Sequence, residues 1–420
     1  MTTLIKKNRL SNYIYSSIFL VLILLLSTPN FSVVIVLILF IVSLSYLIEN
    51  RQSITLIKAD YLFIIACASY FLAFIPIAII DGSTLRYFDA PSRFLLSIPI
   101  YLLIRNMLVN QKLNFNALNK AIEYGAITGS MGALVIALYQ VIIEGRPRVD
   151  GFLYSINFGY LACSLAFLGL VFYKGSSHKL INLLGFSAAI IATMLTLTRG
   201  AIFAIPVLLI MTLFFLYREI ITAKKVLLFA VSISFISMLS YQFIPTFKQR
   251  IDYTTFEFKQ IIQGDTAKSR SSGGRILLWG SAVEAFKSSP LIGETYHNRE
   301  IISQRIYDHS KYKNRVLLAP RAHAHSQYFE ILACAGLLGI FALFLYLMAP
   351  LVYYYYLFSK NKNNIFALCG FIFTTGICIF GLTEVLLAGN LISLYYAFMQ
   401  ALLIATAMSY HALTTQKSSQ

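Results

Sequence analysis

The chain has 420 residues, 58% of them hydrophobic and 12% charged, with a mean hydropathy of +0.73. A soluble domain would carry roughly twice that charged fraction, so a water-soluble globular protein is excluded. The net charge of +17 does not mark a nucleic-acid partner, because the basic residues of the short loops gather on one side of the apolar segments, as membrane topology requires.

Apolar runs of about twenty residues recur from end to end, the length that crosses a bilayer as a helix. Strands of a β-barrel would alternate apolar and polar residues, whereas these runs are solidly apolar, and only helices satisfy their backbone groups within them. The expected fold is therefore an all-α polytopic membrane protein. Lys6, Lys7 and Arg9 precede the first run, 13–28. No small-x-small cleavage site follows, so the run reads as an uncleaved first helix. Further spans are expected at 31–48, 61–80, 94–109, 121–143, 152–173, 180–198, 201–217 and 226–244, then at 327–348, 365–387 and 391–409. That makes about 12 transmembrane helices with one large external loop. The expected organisation is 1–245 (spans one to nine), 246–326 (the loop, with short amphipathic helices) and 327–420 (spans ten to twelve and a tail). The five cysteines all fall in apolar segments and offer no disulfide framework.

Charge sets the orientation. One set of short segments carries sixteen basic residues, and the opposite set carries only Arg86, Arg93, Arg146, Arg148 and Arg199. The basic side faces the cytoplasm, which puts both termini there and the long loop outside. All five external basic residues are arginine, whose planar fork of donors suits phosphate better than an ammonium does. A cationic external face suits either an anionic substrate headgroup, such as a pyrophosphate, or the surrounding phospholipids.

Arg199 sits in Leu197-Thr-Arg-Gly200 between two apolar helices with almost no loop. Its side chain either snorkels to mark the outer edge of the hairpin or serves a ligand, since cations within spans are costly and usually functional. In the long loop, 273–286 reads as a short amphipathic helix whose apolar stripe is Ile276, Trp279, Val283 and Phe286. It would lie at the membrane surface with Trp279 at headgroup depth, and Arg275 shares a face with Trp279. Ser289-Pro-Leu-Ile-Gly293 stops it.

The loop closes on Arg321-Ala-His323-Ala-His325-Ser326. Ser326 is a good N-cap for the tenth span, and an imidazole beside it can accept a proton near neutral pH. The two histidines lack the acids or cysteines that would complete a metal site. Glu330 and Glu384 lie within spans, where acids usually face the bundle interior, and pairing with an arginine is the reading preferred for Glu384.

These motifs in this order resemble the O-antigen ligase family, within the superfamily that also holds O-antigen polymerases. The matching elements are Thr196-Leu-Thr-Arg199-Gly, Gly274-Arg275 with Trp279, Ser289-Pro-Leu-Ile-Gly293, His323-Ala-His325-Ser-Gln-Tyr-Phe-Glu330 and Ala335-Gly-Leu-Leu-Gly339. The family usually has Asn directly after the key histidine, where this chain has Ser326. The resemblance implies a membrane-embedded, GT-C-like glycosyltransferase in the bacterial inner membrane, with its active site facing the periplasm. It would move an O-antigen glycan from undecaprenyl pyrophosphate to a sugar hydroxyl of the lipid A-core, with inversion and with no metal or other cofactor. Its partners would be that donor, that acceptor and membrane lipids, with no nucleic acid. Carried over by motif, Arg199 and Arg275 hold the donor pyrophosphate and His325 is the base. Arg86, Arg93, Arg146, Arg148, Arg321, Trp279 and His323 are the substrate-binding candidates. A polymerase, and then a flippase or transporter of the same lipid-linked glycan, are the alternatives.

Overall fold

The computed structural model describes residues 2–82, 85–217, 222–243, 245–266, 268–269, 271–310, 313–320 and 322–418. Among them there are helices and turns but no strand. In chain order the α-helices are α1 (Thr2–Ser27), α2 (Phe31–Glu49), α3 (Lys58–Leu72), α4 (Ile75–Asp81), α5 (Asp89–Val109), α6 (Phe115–Leu138), α7 (Ser155–Val171) and α8 (Lys179–Leu195). They continue as α9 (Arg199–Tyr217), α10 (Ala223–Phe243), α11 (Pro245–Ile262), α12 (Ser272–Ser288), α13 (Tyr296–His309), α14 (Gln327–Lys360), α15 (Ile365–Phe380) and α16 (Asn390–Ser418).

Among the described residues nine helices are long and apolar enough to cross a membrane, while α8 and α15 are apolar but shorter. These eleven coincide with expected spans. The remaining one, 226–244, coincides with α10, several of whose side chains lie outside the described residues, as does position 244. The multi-pass helical architecture therefore stands.

The chain divides into two compact units, Met1–Thr212 with Phe341–Gln420, and Leu213–Ile340. In the first unit α16 is the buried axis, its most apolar window covered on all sides, and it packs on α2, α5 and α15. A helix apolar all round belongs in such a core. A second packing seam joins α1 to α6, where Gly125, Gly129 and Gly132 let the backbones approach. A Cβ on Gly129 would run into the Leu22 carbonyl oxygen. Small residues spaced by three or four are how helices come close in lipid, where apolar contact alone does not drive association.

One expected span ends early. The eleventh was expected over 365–387, but α15 stops at Phe380. Glu384 lies in the turn beyond it, buried, with its Oε1 accepting from the Val385 amide at 3.0 Å. The acid is therefore a turn residue and not part of a span.

The second unit holds the end of α9, α10 to α13 and the first turns of α14. Helix α14 begins at Gln327, as Ser326 promised, and the Glu330 amide bonds the Ser326 carbonyl at 2.9 Å. It is broken at Gly336, whose φ of 56° and ψ of −147° only glycine adopts readily. The freed amides of Leu337 and Leu338 bond the carbonyls of Pro290 and Leu291 at 2.9 and 3.1 Å. The 289–293 stretch thus lays its backbone in the break of α14. A Cβ on Gly336 would lie 2.6 Å from the Pro290 oxygen, and one on Gly293 would collide with the Ala335 amide.

Candidate active site

The residues singled out by sequence fall into two groups, one in each unit. In the first unit, Arg199 is the first residue of α9 and is half-buried. It follows a tight turn in which Leu197 has φ 53°. The turn is built from threonines: Thr196 Oγ1 donates to the Thr193 carbonyl at 2.6 Å and accepts from the Thr198 amide at 3.2 Å. Thr198 Oγ1 donates to the Ser155 carbonyl at 3.0 Å. A Cβ on Gly200 would collide with the Tyr160 and Thr383 hydroxyls, so the glycine after Arg199 is a packing requirement.

Arg148 is stapled to this turn. Its Nε donates to the Thr196 carbonyl at 2.6 Å and its Nη2 to Thr198 Oγ1 at 3.2 Å. The Val149 amide bonds the Leu195 carbonyl at 3.2 Å beside it. The other end of the 144–151 loop is held by buried Gln140, which exchanges hydrogen bonds with the backbone of Asp150 and Gly151. Arg146 closes an exposed ion cluster with Glu144 and Asp150. Arg93 is a clamp: its guanidinium reaches Asp89, Asn390 Oδ1 at 2.6 Å and Ser393 Oγ at 3.0 Å, fixing the start of α16 to α5. Arg86 is exposed on a 3-10 turn, Leu85–Phe88. Of the arginines expected beside Arg199 in the opposite short loops, Arg148 joins the Arg199 turn, Arg86 is exposed, and Arg93 and Arg146 are engaged with carboxylates.

In the second unit, α12 carries Arg275 on its first turn and Trp279 on the next. The helix forms as expected, but its buried face is Gly274, Leu278, Ser281, Ala282 and Ala285. The expected stripe of Ile276, Trp279, Val283 and Phe286 is half-buried at best, with Ile276 exposed. The face is rotated by about one residue, roughly 100°, because small side chains let α12 lie close to α13 and to the 315–318 turn. Trp279 itself is half-buried. It stacks on Phe329 with centroids 5.1 Å apart and planes 12° apart, against Ala282, Ala285, Ala324 and Ala333.

Sequence reasoning missed Glu257, which is buried on α11 and caps α12. Its carboxylate accepts from the Ser271 and Ser272 amides at 2.7 and 3.1 Å and from Ser272 Oγ at 2.9 Å. A carboxylate at a helix N-terminus meets both the orphan amides and the positive end of the dipole. It sets the first turn on which Arg275 stands. Arg275 itself is half-buried and, among the described residues, makes no hydrogen bond or ion pair with the protein. Its fork of donors is therefore not spent on the protein among those residues.

The histidine loop is also strained and braced. His325 is half-buried with φ 47°, the left-handed region that costs an ordinary residue about 1–2 kcal/mol. Its amide donates to His323 Nδ1 at 3.2 Å, and the two rings sit 4.2 Å apart. Between them the Ala324 amide donates to Glu330 Oε2 at 2.7 Å. Glu330 in turn takes a two-pronged bond from Arg299 of α13, at 2.8 and 2.9 Å, with both side chains nearly buried. Glu330 therefore has the arginine partner that an acid in an apolar segment demands, but it is Arg299, which no local pattern marked. Burial works against the Arg299 charge and the adjacent carboxylate more than compensates, holding its proton more tightly than usual. Arg321 lies outside the described residues.

Each unit thus carries its own candidates: Arg199 and Arg148 at the threonine turn of the first, and Arg275, His323 and His325 in the second. Residues 184–344 match the family described as O-antigen ligase. The chain is also 27% identical over 389 residues to a protein of Haemophilus influenzae described as uncharacterized, an alignment covering 89% of this chain and 90% of that one. The matched stretch 184–344, which includes Arg199, Arg275, Trp279, His323 and His325, is thus where the chain is similar to the O-antigen ligase family.

Proposed function

We propose that the protein is an O-antigen ligase of the inner membrane. It transfers the glycan of an undecaprenyl-pyrophosphate-linked O-antigen to a sugar hydroxyl of lipid A-core. In this reading both termini are cytoplasmic, 246–326 is a periplasmic loop flanked by the spans of 1–245 and 327–420, and the chemistry faces the periplasm. His325 takes the proton of the acceptor hydroxyl as that oxygen attacks the anomeric carbon. The bond from that carbon to the pyrophosphate oxygen breaks, the configuration inverts, and undecaprenyl pyrophosphate leaves as an anion. Arg199 and Arg275 bind the charge that grows on the leaving group, a transition-state interaction and hence a catalytic one. One base suffices for direct displacement.

The observation that carries this reading is Arg275: a half-buried guanidinium that no protein group neutralises among the described residues, in the segment matching the ligase family. The test is transfer in detergent from lipid-linked donor to purified lipid A-core. His325→Ala is expected to abolish transfer and to leave donor binding largely intact, because the base acts on the acceptor. Full activity in that variant removes the assigned role. Lengthening of lipid-linked glycan in place of transfer to core would assign polymerase instead.

A further inference from the structure

We infer that the Arg299–Glu330 pair positions the His323–His325 loop for transfer, which rests on the reading of His325 as the base. Arg299 reaches Glu330 with both arms of its fork, from α13 to the first turn of α14. Glu330 Oε2 carries a second load, the Ala324 amide at 2.7 Å. Ala324 is buried and lies between the two histidines. The same carboxylate therefore joins α13, α14 and the loop at one point.

The pair has more than a packing consequence because of the backbone it restrains. His325 is held at φ 47° with its amide on His323 Nδ1. A non-glycine residue keeps that conformation only where its surroundings over-determine it. Two restraints on the loop are the Glu330 contact at Ala324 and the buried Ser326–Gln327 start of α14. Freeing the Ala324 amide releases the segment to relax toward ordinary backbone angles, which swings the imidazole away from its working position. Arg299 also lines the shallow groove beside the loop, with Tyr296, Glu300, Ser303, Ala322 and Ala324. Arg299 and Glu330 are positioning residues: they act on the imidazole through the backbone and not on the substrate.

The test compares full-length wild type, Glu330→Gln and the double variant Arg299→Met/Glu330→Leu, all in detergent. Apolar groups commonly replace a buried ion pair without loss of stability, so the double variant keeps the packing but leaves the Ala324 amide without an acceptor. Its donor KM is expected to stay near wild type and its melting temperature to fall no further than the loss of one amide bond lowers it, while kcat falls by about 100-fold, the scale of a small misplacement of a reacting group. Diethyl pyrocarbonate should modify His323 and His325 faster in it, read by mass spectrometry. Glu330→Gln retains an oxygen for the Ala324 amide and is expected to keep kcat within about tenfold of wild type. Wild-type kcat and modification rate in the double variant overturn the proposal. If that variant does not fold, Arg299→Lys decides, since it keeps the charge and loses the fork; a wild-type modification rate there overturns the proposal too. Undiminished transfer by His325→Ala sinks the base assignment alone, because the modification rates still report whether the pair orders the loop.

Discussion

The Leu337 amide donates to the Pro290 carbonyl at 2.9 Å, and this bond joins two segments separated by α13 and the histidine loop. It exists because α14 is broken at Gly336, which frees an amide that an intact helix would have used itself. The break lets the first turns of α14 anchor the 289–293 stretch within the second unit. It also explains Gly293 and Gly336: each stands where the other segment's backbone passes.

Gly336→Ala is the sharpest test of that contact. The added methyl would meet the Pro290 oxygen at 2.6 Å, and the backbone angles there disfavour any side chain. The expected cost is on the order of 3 kcal/mol, from overpacking and from left-handed backbone together. Thermal melting in detergent should show it, with Gly280→Ala as the control, since an added Cβ there meets nothing within 4 Å. A melting temperature equal to wild type would contradict the close approach.

Arg148 should act on the Arg199 turn. Arg148→Lys keeps the charge but cannot serve both the Thr196 carbonyl and the Thr198 hydroxyl as the fork does. Transfer is expected to fall about tenfold, equivalent to roughly one charge-assisted hydrogen bond. Steady-state kinetics against lipid-linked donor would check it. Undiminished kcat/KM would leave Arg148 with a structural role only.

Arg275→Lys separates a fork from a point charge in the other unit. If the guanidinium binds pyrophosphate in two-pronged fashion, lysine should cost about 2–3 kcal/mol, or roughly 100-fold in kcat/KM. Melting should hardly change, because among the described residues the protein itself makes no hydrogen bond or ion pair with this side chain. A large drop in melting temperature would show instead that Arg275 is part of the scaffold.

Glu257→Ala removes the cap of α12. Two amides and a hydroxyl lose their acceptor, at an expected cost of about 1–2 kcal/mol. Glu257→Gln keeps an oxygen for the amides and should lose less than half as much. Hydrogen exchange at Ser271 and Ser272 is the direct readout; equal protection in wild type and Glu257→Ala would rule out the cap.

The amino-acid sequence by itself determined what depends on local pattern. Runs of apolar side chains specified membrane helices, Ser326 marked the start of α14, and Ser289-Pro290 marked the end of α12. The motifs at Arg199, Arg275 and His325 were legible too, because a cation between spans or a histidine at a helix start is conspicuous in its own neighbourhood. Tertiary structure alone decided which face of α12 is buried, since small residues and not the large apolar ones set how closely it packs. It alone decided that Arg148 meets the Thr196 carbonyl 48 residues away and that Arg299 meets Glu330 across 31. Periodicity and capping act over one or two turns of chain. Which acid a buried guanidinium finds depends on how distant segments close around it, and no local spacing encodes that.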